Sequence, residues 1–483
     1  MKIGFDNQKY LTMQSQHIKE RISNFGNKLY LELGGKLFDD YHASRVLPGF
    51  APDSKLQMLL QLANQAEMII SINADDIEAN KVRQDLNITY DVDVIRLIGA
   101  YRNIGLTVSS VVITQYKNQK SIPAFRAKLE ELAVKVYFHY PIDGYPSNVN
   151  FIVSDAGYGK NEYVETTQPL VIVTAPGPGS GKMATCLSQL YHENKRGIKA
   201  GYAKFETFPI WNLPLTHPVN IAYEAATADI HDVNMIDPFH LEAYQQTAVN
   251  YNRDIEVFPV LEAIFKKIYG DCPYKSPTDM GVNMAGFCIC DDEVCREASR
   301  QEVIRRYFTS LNKASMDKAT SEEVRIQELL MKKLKITPTD RPIVKVAREL
   351  REQYNCEVAV MELTDGTIIT GRTKKLLGAC SAVILNSIKV LGGVNDAIDL
   401  ISPNYIEPMQ KLKVQYLNTK DTMLYIDEVL IALSMCAVID PNAEKALAQL
   451  SKLKHCQLHV TGRLAKADFK MCKKLGIELT NDI

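Results

Sequence analysis

Five short apolar runs recur through the first part of the chain: Lys28–Leu33, Met68–Asn73, Ser109–Gln115, Val134–Tyr140 and Leu170–Thr174. Several are rich in β-branched residues and continuous rather than alternating, the pattern of strands buried on both faces. Between them, near residues 8–24, 54–66, 91–104 and 121–133, apolar residues fall at helical spacing. Asp53-Ser54 and Ser121-Ile-Pro read as helix starts. Regular alternation of strand and helix predicts an α/β domain over residues 1–235, built on a mainly parallel sheet. In such sheets ligands sit beyond the carboxyl ends of the strands.

The pattern then changes. Residues 236–335 read as a mostly helical region, with segments at 239–251, 258–269, 292–312 and 321–334. The breaker-rich stretch Ile336-Thr-Pro-Thr-Asp-Arg-Pro342 reads as a boundary. Residues 336–483 form a second α/β domain: a strand at Glu357–Leu363, a turn at Asp365-Gly366 and a strand at Thr367–Thr370. A helix from about Leu377 to Leu391 follows, closed by Gly392-Gly393. Two helices near 421–435 and 442–453 come next, and His459-Val-Thr and Ile477-Glu-Leu offer further strands.

Of 483 residues, 46% are hydrophobic and 23% charged, enough for a sizeable core. The net charge of −1 gives no basic field for nucleic acid or an anionic membrane. The most apolar stretch, Leu424–Ile439, carries Asp427 and Glu428 and falls short of a membrane span. The first residues lack a signal-peptide layout. Ten cysteines spread over such a chain are expected to be reduced thiols, and the expected location is the cytoplasm.

The stretch with most to say about chemistry is Thr174-Ala-Pro-Gly-Pro-Gly-Ser-Gly-Lys-Met-Ala-Thr185, at the carboxyl end of the fifth run. A phosphate loop needs a strand, a flexible turn of inward N–H groups, a lysine, a hydroxyl for Mg²⁺ and a helix N-terminus. Gly177, Gly179, Ser180 and Gly181 supply the turn, and Lys182 follows at the expected place. The next helix shows Met183, Cys186, Leu187, Leu190 and Tyr191 on one face. Two departures stand out. Pro176 replaces the first glycine of the phosphate-loop pattern, and Met183 replaces the Ser or Thr that ligates Mg²⁺, a role a thioether cannot fill. Thr185 lies on another side of the helix, which leaves Ser180 as the nearest hydroxyl. The alternative is a Gly-rich strand-to-helix turn without a ligand.

Two further clusters bear on the same chemistry. Residues 224–240 gather Glu224, Asp229, His231, Asp232, Asp237 and His240. From these, Asp229, Asp232, Asp237 and His240 are the candidate ligands for Mg²⁺ or Mn²⁺. Helix caps and ordinary surface or core histidines are the competing reading. After the first run, Gly34-Gly-Lys-Leu-Phe-Asp-Asp-Tyr-His-Ala-Ser-Arg45 offers Lys36 and Arg45 to anionic oxygens, and Asp39 and Asp40 for metal or base work. Asp155-Ala-Gly-Tyr-Gly-Lys160 is a third Gly and Lys loop, and a solvated turn explains either loop equally well. Cys288, Cys290 and Cys295 lack the paired spacing of a Zn²⁺ site and read as buried thiols.

On three of these stretches the chain resembles a bacterial domain-of-unknown-function family, number eighteen-forty-six. They are Gly34–Phe50, Thr174–Thr185, and Ala225-Ala-Thr-Ala-Asp with Asp237-Pro-Phe-His240, and the likeness runs end to end. The resemblance assigns no catalytic residue. It implies that Pro176 and Met183 are the family's own form of the loop. Separately, the C-terminal part is similar in layout to a cytidine-deaminase-like α/β fold. Its helix start offers Cys380 without the Glu or the C-x-x-C that zinc deaminases need, so the likeness is one of fold alone.

The expectation is an enzyme that hydrolyses a nucleoside triphosphate or related phosphate compound with Mg²⁺ or Mn²⁺. Gly177, Gly179, Ser180, Gly181, Lys182 and Lys36 would bind phosphate, and Lys182, Asp40 and Arg45 would act in catalysis. The alternatives are a non-catalytic sensor of a phosphorylated metabolite that forms a homo-oligomer, and a kinase or ligase with an unidentified acceptor. Neither nucleic acid nor a membrane is an expected partner.

Overall fold

The computed structural model describes residues 2–34, 37, 40–83, 86–315, 320–419 and 422–483. Two compact units emerge, one of residues 2–224 and 231–296, the other of residues 225–230 and 297–483.

The first unit is built on a seven-stranded sheet. Its strands are β1 (Leu29–Leu33), β2 (Ala66–Asn73), β5 (Val108–Thr114), β6 (Lys135–Phe138), β7 (Leu170–Thr174), β8 (Gly201–Phe205) and β11 (Gly281–Val282). Two short ribbons stand apart: β3 (Val82–Arg83) with β4 (Ile88–Thr89), and β9 (Asn234–Ile236) with β10 (Val249–Tyr251). The sheet order is β11-β8-β1-β7-β2-β5-β6 and every pairing is parallel. Every residue of β1, β7 and β8 is buried. That is what continuous runs such as Leu170-Val-Ile-Val-Thr174 demand, because strands covered on both faces have no polar side to show. The chain leaves β1 toward β2 on one side and leaves β7 toward β8 on the other. The loops after these neighbouring strands therefore part, which is where open parallel sheets form a ligand crevice.

The five expected strands form, with ends shifted by a residue or two. Two strands of this sheet were not anticipated. β11 is only two residues long, and β8, Gly201-Tyr-Ala-Lys-Phe205, carries a lysine in mid-run. Segment 239–251, expected as one helix, divides. The helix Pro238–Tyr244 stops at Gln245, whose φ of 56° is left-handed, and Val249–Tyr251 pairs antiparallel with β9. Segment 54–66 also shortens to a helix over Ser54–Leu60 and a turn of 3₁₀ over Ala63–Gln65. Within the stretch 236–335, helix Asn252–Tyr269 belongs to the first unit and helix Ser321–Leu334 to the second.

The second unit holds a four-stranded sheet of β12 (Val358–Glu362), β13 (Ile368–Arg372), β14 (Gln457–Val460) and β15 (Glu478–Asn481), in the order β13-β12-β14-β15. The first two pairings are antiparallel and the last is parallel. The β12–β13 turn uses Gly366 at φ 90°, and the Thr367 N–H donates to Asp365 Oδ1 at 2.9 Å. Helix Ala379–Leu391 lies so close on β13 that a Cβ on Gly371 would approach the Val383 nitrogen to 2.3 Å. Among the described residues no helix is long and apolar enough to cross a membrane. All ten cysteines are free thiols.

Just beyond β6, the His139 ring is buried with Nε2 3.2 Å from the Glu162 carbonyl oxygen. Burial is the main reason its pKa falls from 6.5 to about 4. The folded state therefore resists protonating a group that the unfolded chain protonates freely. Its contribution is complete above pH 6.5 and is lost as pH falls toward 4. The single tryptophan, Trp211, lies in this unit, so its fluorescence reports the unit's unfolding. His139→Gln keeps an N–H donor but cannot titrate, and should flatten the fall in urea midpoint across this pH range. An undiminished fall in the variant would contradict the assignment.

Candidate functional site

β7 ends at Thr174, and the next residues turn sharply into helix Lys182–Lys195. Gly179 and Gly181 take left-handed φ values of 77° and 86°, which residues with a Cβ rarely adopt. Gly177 is required for another reason. A Cβ there would meet the Tyr90 hydroxyl at 2.2 Å, so the turn lies directly against the first residue of helix Tyr90–Asn103. Ser180 is buried, and its hydroxyl donates to the Gly177 carbonyl at 2.9 Å. From the end of β5, Thr114 Oγ1 donates to the Ser180 carbonyl at 3.0 Å. The turn is thus braced from inside and from two neighbouring elements, while Pro178 and Gly179 stay exposed.

Gly181 occupies the N-cap position without a side-chain cap. The first N–H groups of a helix have no carbonyl partner within it, and here they lie in the half-exposed first turn, Lys182–Ala184. They carry partial positive charge, and Lys182 is the first residue of the same turn. Met183 packs against the core. Thr185 is fully buried and accepts a hydrogen bond from Ser71 Oγ at 3.1 Å. Neither presents a hydroxyl to the turn, which leaves Ser180 as its only hydroxyl.

Beneath this turn the sheet carries charge that sequence reading missed. Glu32 of β1 is buried and accepts from the Tyr202 hydroxyl at 2.7 Å. Cys186, one turn into the helix, feels both Glu32 and Lys182; burial, then Glu32, hold its thiol well above the usual range. One strand further, Lys204 of β8 pairs with both oxygens of Asp254 at 2.7 Å and with Glu206 at 3.0 Å, and it also donates to the Tyr251 hydroxyl. Burial works against the ammonium, but Asp254, Glu206 and Glu32 outweigh it and hold its pKa well above normal. Glu206 shows the reverse balance. Burial raises its pKa, and Lys204 and the Tyr251 hydroxyl, which donates to it at 2.7 Å, only partly offset that. Glu206 stands at the carboxyl end of β8 beside Gly34, where an added Cβ would come within 3.2 Å of its side chain. Lys204, Glu206 and Asp254 line a cavity of about 40 Å³ with Trp211, Asn250 and Thr278, room for a few water molecules at most. The missed signal was a lysine inside an apolar run followed two residues later by a glutamate.

The other expected site residues are placed as follows. Lys36 and Asp39 lie outside the described residues. Asp40 does reach the sheet's carboxyl edge. Its carboxylate caps helix Tyr41–Val46 by accepting from the Ala43 N–H at 3.2 Å, and it pairs with Lys55 at 2.9 Å. Lys55 also reaches the Gly34 carbonyl at 3.4 Å. Burial opposes the charge on Asp40, yet Lys55 prevails and lowers its pKa. Arg45 is in the last turn of that helix, half-buried. Tyr191 of helix Lys182–Lys195 donates to Asp155 at 2.6 Å, which fastens the 155–160 loop. Cys288 and Cys295 are buried, whereas Cys290 is exposed.

The acidic stretch is not assembled as a metal centre. Asp237 caps helix Pro238–Tyr244, accepting from the His240 N–H at 3.0 Å and from the Thr278 hydroxyl at 2.6 Å. Asp232 is buried against Arg253, with contacts of 2.5 and 2.7 Å. His240 Nδ1 lies 3.1 Å from Ser276 Oγ. Asp229 is exposed and belongs to the other compact unit. Among the described residues no three His, Cys, Asp or Glu side chains converge on a metal position. The physical reason is that Asp232 and Asp237 are already committed to a guanidinium and a helix start. Through Thr278, Asp237 braces the wall of the small cavity beside Lys204.

Residues 3–335 match the family model described as Domain of unknown function DUF1846, N-terminal, and residues 339–483 match its C-terminal counterpart. The chain belongs to this family. It is 53% identical over 481 residues to a UPF0371 protein of Corynebacterium diphtheriae, covering 99% of this chain and 97% of that one. A UPF0371 protein of Corynebacterium urealyticum is 52% identical over 484 residues, and one of Streptococcus pyogenes 51% identical over 480, each with the same coverage. The likeness spans both units, so the turn after β7 and the Lys204 cluster both lie within the shared region.

The Lys204 cluster carries a stability consequence. Removing one partner of a buried pair leaves the other charged and poorly solvated, at a cost of about 3–5 kcal/mol. Asp254→Asn should lower stability by about 3 kcal/mol or somewhat less, since Glu206 still faces Lys204. Lys204→Met with Asp254→Leu should recover most of that loss. The measurement is urea unfolding followed by Trp211 fluorescence; equal stability of Asp254→Asn and the parent would overturn the reading.

Proposed function

We propose that this chain binds a phosphorylated small molecule at the turn Ala175–Lys182 and hydrolyses it, with a nucleoside triphosphate or related compound as substrate. The observation that carries the reading is the conjunction at one point of the sheet's crevice. Left-handed glycines 179 and 181, an uncapped helix N-terminus and Lys182 meet at the carboxyl end of β7. Backbone N–H groups and a lysine so arranged favour a multiply charged anion. In this reading Ser180 braces the turn and the N–H groups of the first helical turn meet phosphate oxygens. Glu206, held toward its protonated form beside Lys204, is a candidate for moving a proton. A divalent ion, Mg²⁺ or Mn²⁺, would enter with the phosphates it neutralises, as Mg²⁺ commonly does.

A second reading is binding without turnover, in a sensor that oligomerises. The commitment of Asp40 to a helix cap and an ion pair favours it, because that carboxylate is not poised as a base. The C-terminal unit adds no competing chemistry to either reading. Its strand–turn–strand–helix order is similar to a cytidine-deaminase-like layout, but the Cys380 thiol is buried in the core and hydrogen-bonded with the Cys472 thiol.

Calorimetry with ATP, GTP and tripolyphosphate, with and without Mg²⁺ or Mn²⁺, tests the binding, and phosphate release under the same conditions tests the turnover. Lys182→Ala should weaken binding by about tenfold or more, since a hydrogen bond to a charged group contributes roughly 1.5–3 kcal/mol. Binding without release selects the sensor. Absence of binding to all three compounds would sink both readings.

A further inference from the structure

The C-terminal unit contains a cavity of about 1010 Å³, at the upper end of the range for small-molecule sites. It lies between the helix Pro342–Tyr354, the outer end of β13, the helix Ala379–Leu391 and the segment 398–406. Its lining divides by chemistry. Leu377, Ala382, Leu385, Leu400, Ile401 and Ile406 make an apolar wall, and Arg372, Lys374, Lys375 and Lys389 bring four cations against the single carboxylate of Asp399.

Three of these cations are not used up in ion pairs. Among the described residues no carboxylate pairs with Arg372, Lys374 or Lys375. The Arg372 guanidinium is held by the ring of Tyr354, 4.5 Å from its centroid, so it is oriented without being neutralised. Lys389 is buried, with its ammonium donating to the Asp396 carbonyl at 2.7 Å, while the Asp396 carboxylate is 3.8 Å away and fully in solvent. Asn386 is anchored to the Thr370 carbonyl at 2.8 Å, which ties the helix face lining the cavity to β13.

We infer that this cavity binds an amphiphilic anion: a small molecule with an aliphatic or aromatic body for the apolar wall and a carboxylate, sulfonate or phosphate head for the basic rim. A purely polar anion would leave the wall wet, and a neutral apolar molecule would leave the cations unmatched. This site is separate from the turn after β7 and does not depend on its ligand.

The full chain is titrated with 8-anilinonaphthalene-1-sulfonate, an anionic fluorescent amphiphile, and in parallel with its neutral relative N-phenyl-1-naphthylamine. Wild type should bind one equivalent of the sulfonate, with an affinity that falls as salt is added. The triple variant Arg372→Gln, Lys374→Gln, Lys375→Gln should weaken the sulfonate about tenfold and leave the neutral probe unchanged. Ala382→Trp, which fills the cavity, should remove both. Equal sulfonate affinity in wild type and the triple variant would overturn the inference, as would undiminished binding in a folded Ala382→Trp. The triple variant alters only exposed side chains, so it decides the question alone if the tryptophan variant does not fold.

Discussion

The buried Lys204 ammonium is the interaction on which the first unit depends. Without Asp254 and Glu206 around it, a lysine could not occupy a strand whose every residue is buried, because an uncompensated interior charge costs several kcal/mol. With them, β8 takes its place beside β1, and β11 adds at the edge. The same pair pins the first turn of helix Asn252–Tyr269 to the sheet. One buried cation thus joins the sheet, its covering helix and the crevice edge.

That arrangement places two kinds of polarity along one edge. At β7 it comes from the backbone, through an uncapped helix start and two left-handed glycines. At β1 and β8 it comes from side chains, Glu32, Lys204 and Glu206, whose charges are balanced within the fold. A phosphate site needs the first kind to attract the ligand, and proton transfer needs a group of the second kind held off its ordinary pKa. By contrast, Asp232 and Asp237, which stood out most as metal ligands, serve as fasteners. A carboxylate that caps a helix or closes an ion pair has the same one-letter code as one that ligates a metal; only its neighbours distinguish the two.

The second unit uses charge differently. Around its cavity Arg372, Lys374 and Lys375 are exposed, and Lys389, though buried, donates to a carbonyl rather than to an enclosed carboxylate, whereas elsewhere in the unit the buried Lys413 pairs with Glu428. Unpaired cations beside an apolar wall are stable at a solvent-accessible rim, where water pays the solvation that the core cannot.

Much of the architecture was legible in the chain itself. Short apolar runs, several of them β-branched, marked five strands and a mainly parallel sheet, and the helix over Ser321–Leu334 follows from its period. The glycines and Lys182 marked the turn after β7, because left-handed backbone angles have a residue signature. β8 was hidden by its lysine, since local pattern counts a charge against burial and cannot see a partner fifty residues away in Asp254. The split of segment 239–251 was hidden because a strand pairing competes with helix only once β9 is beside it. Local backbone preference was therefore written in the sequence. Which charges meet, which carboxylates are already engaged and where a cavity opens were decided only by tertiary structure, because electrostatic and packing energies depend on distances between residues that the order of the chain does not contain.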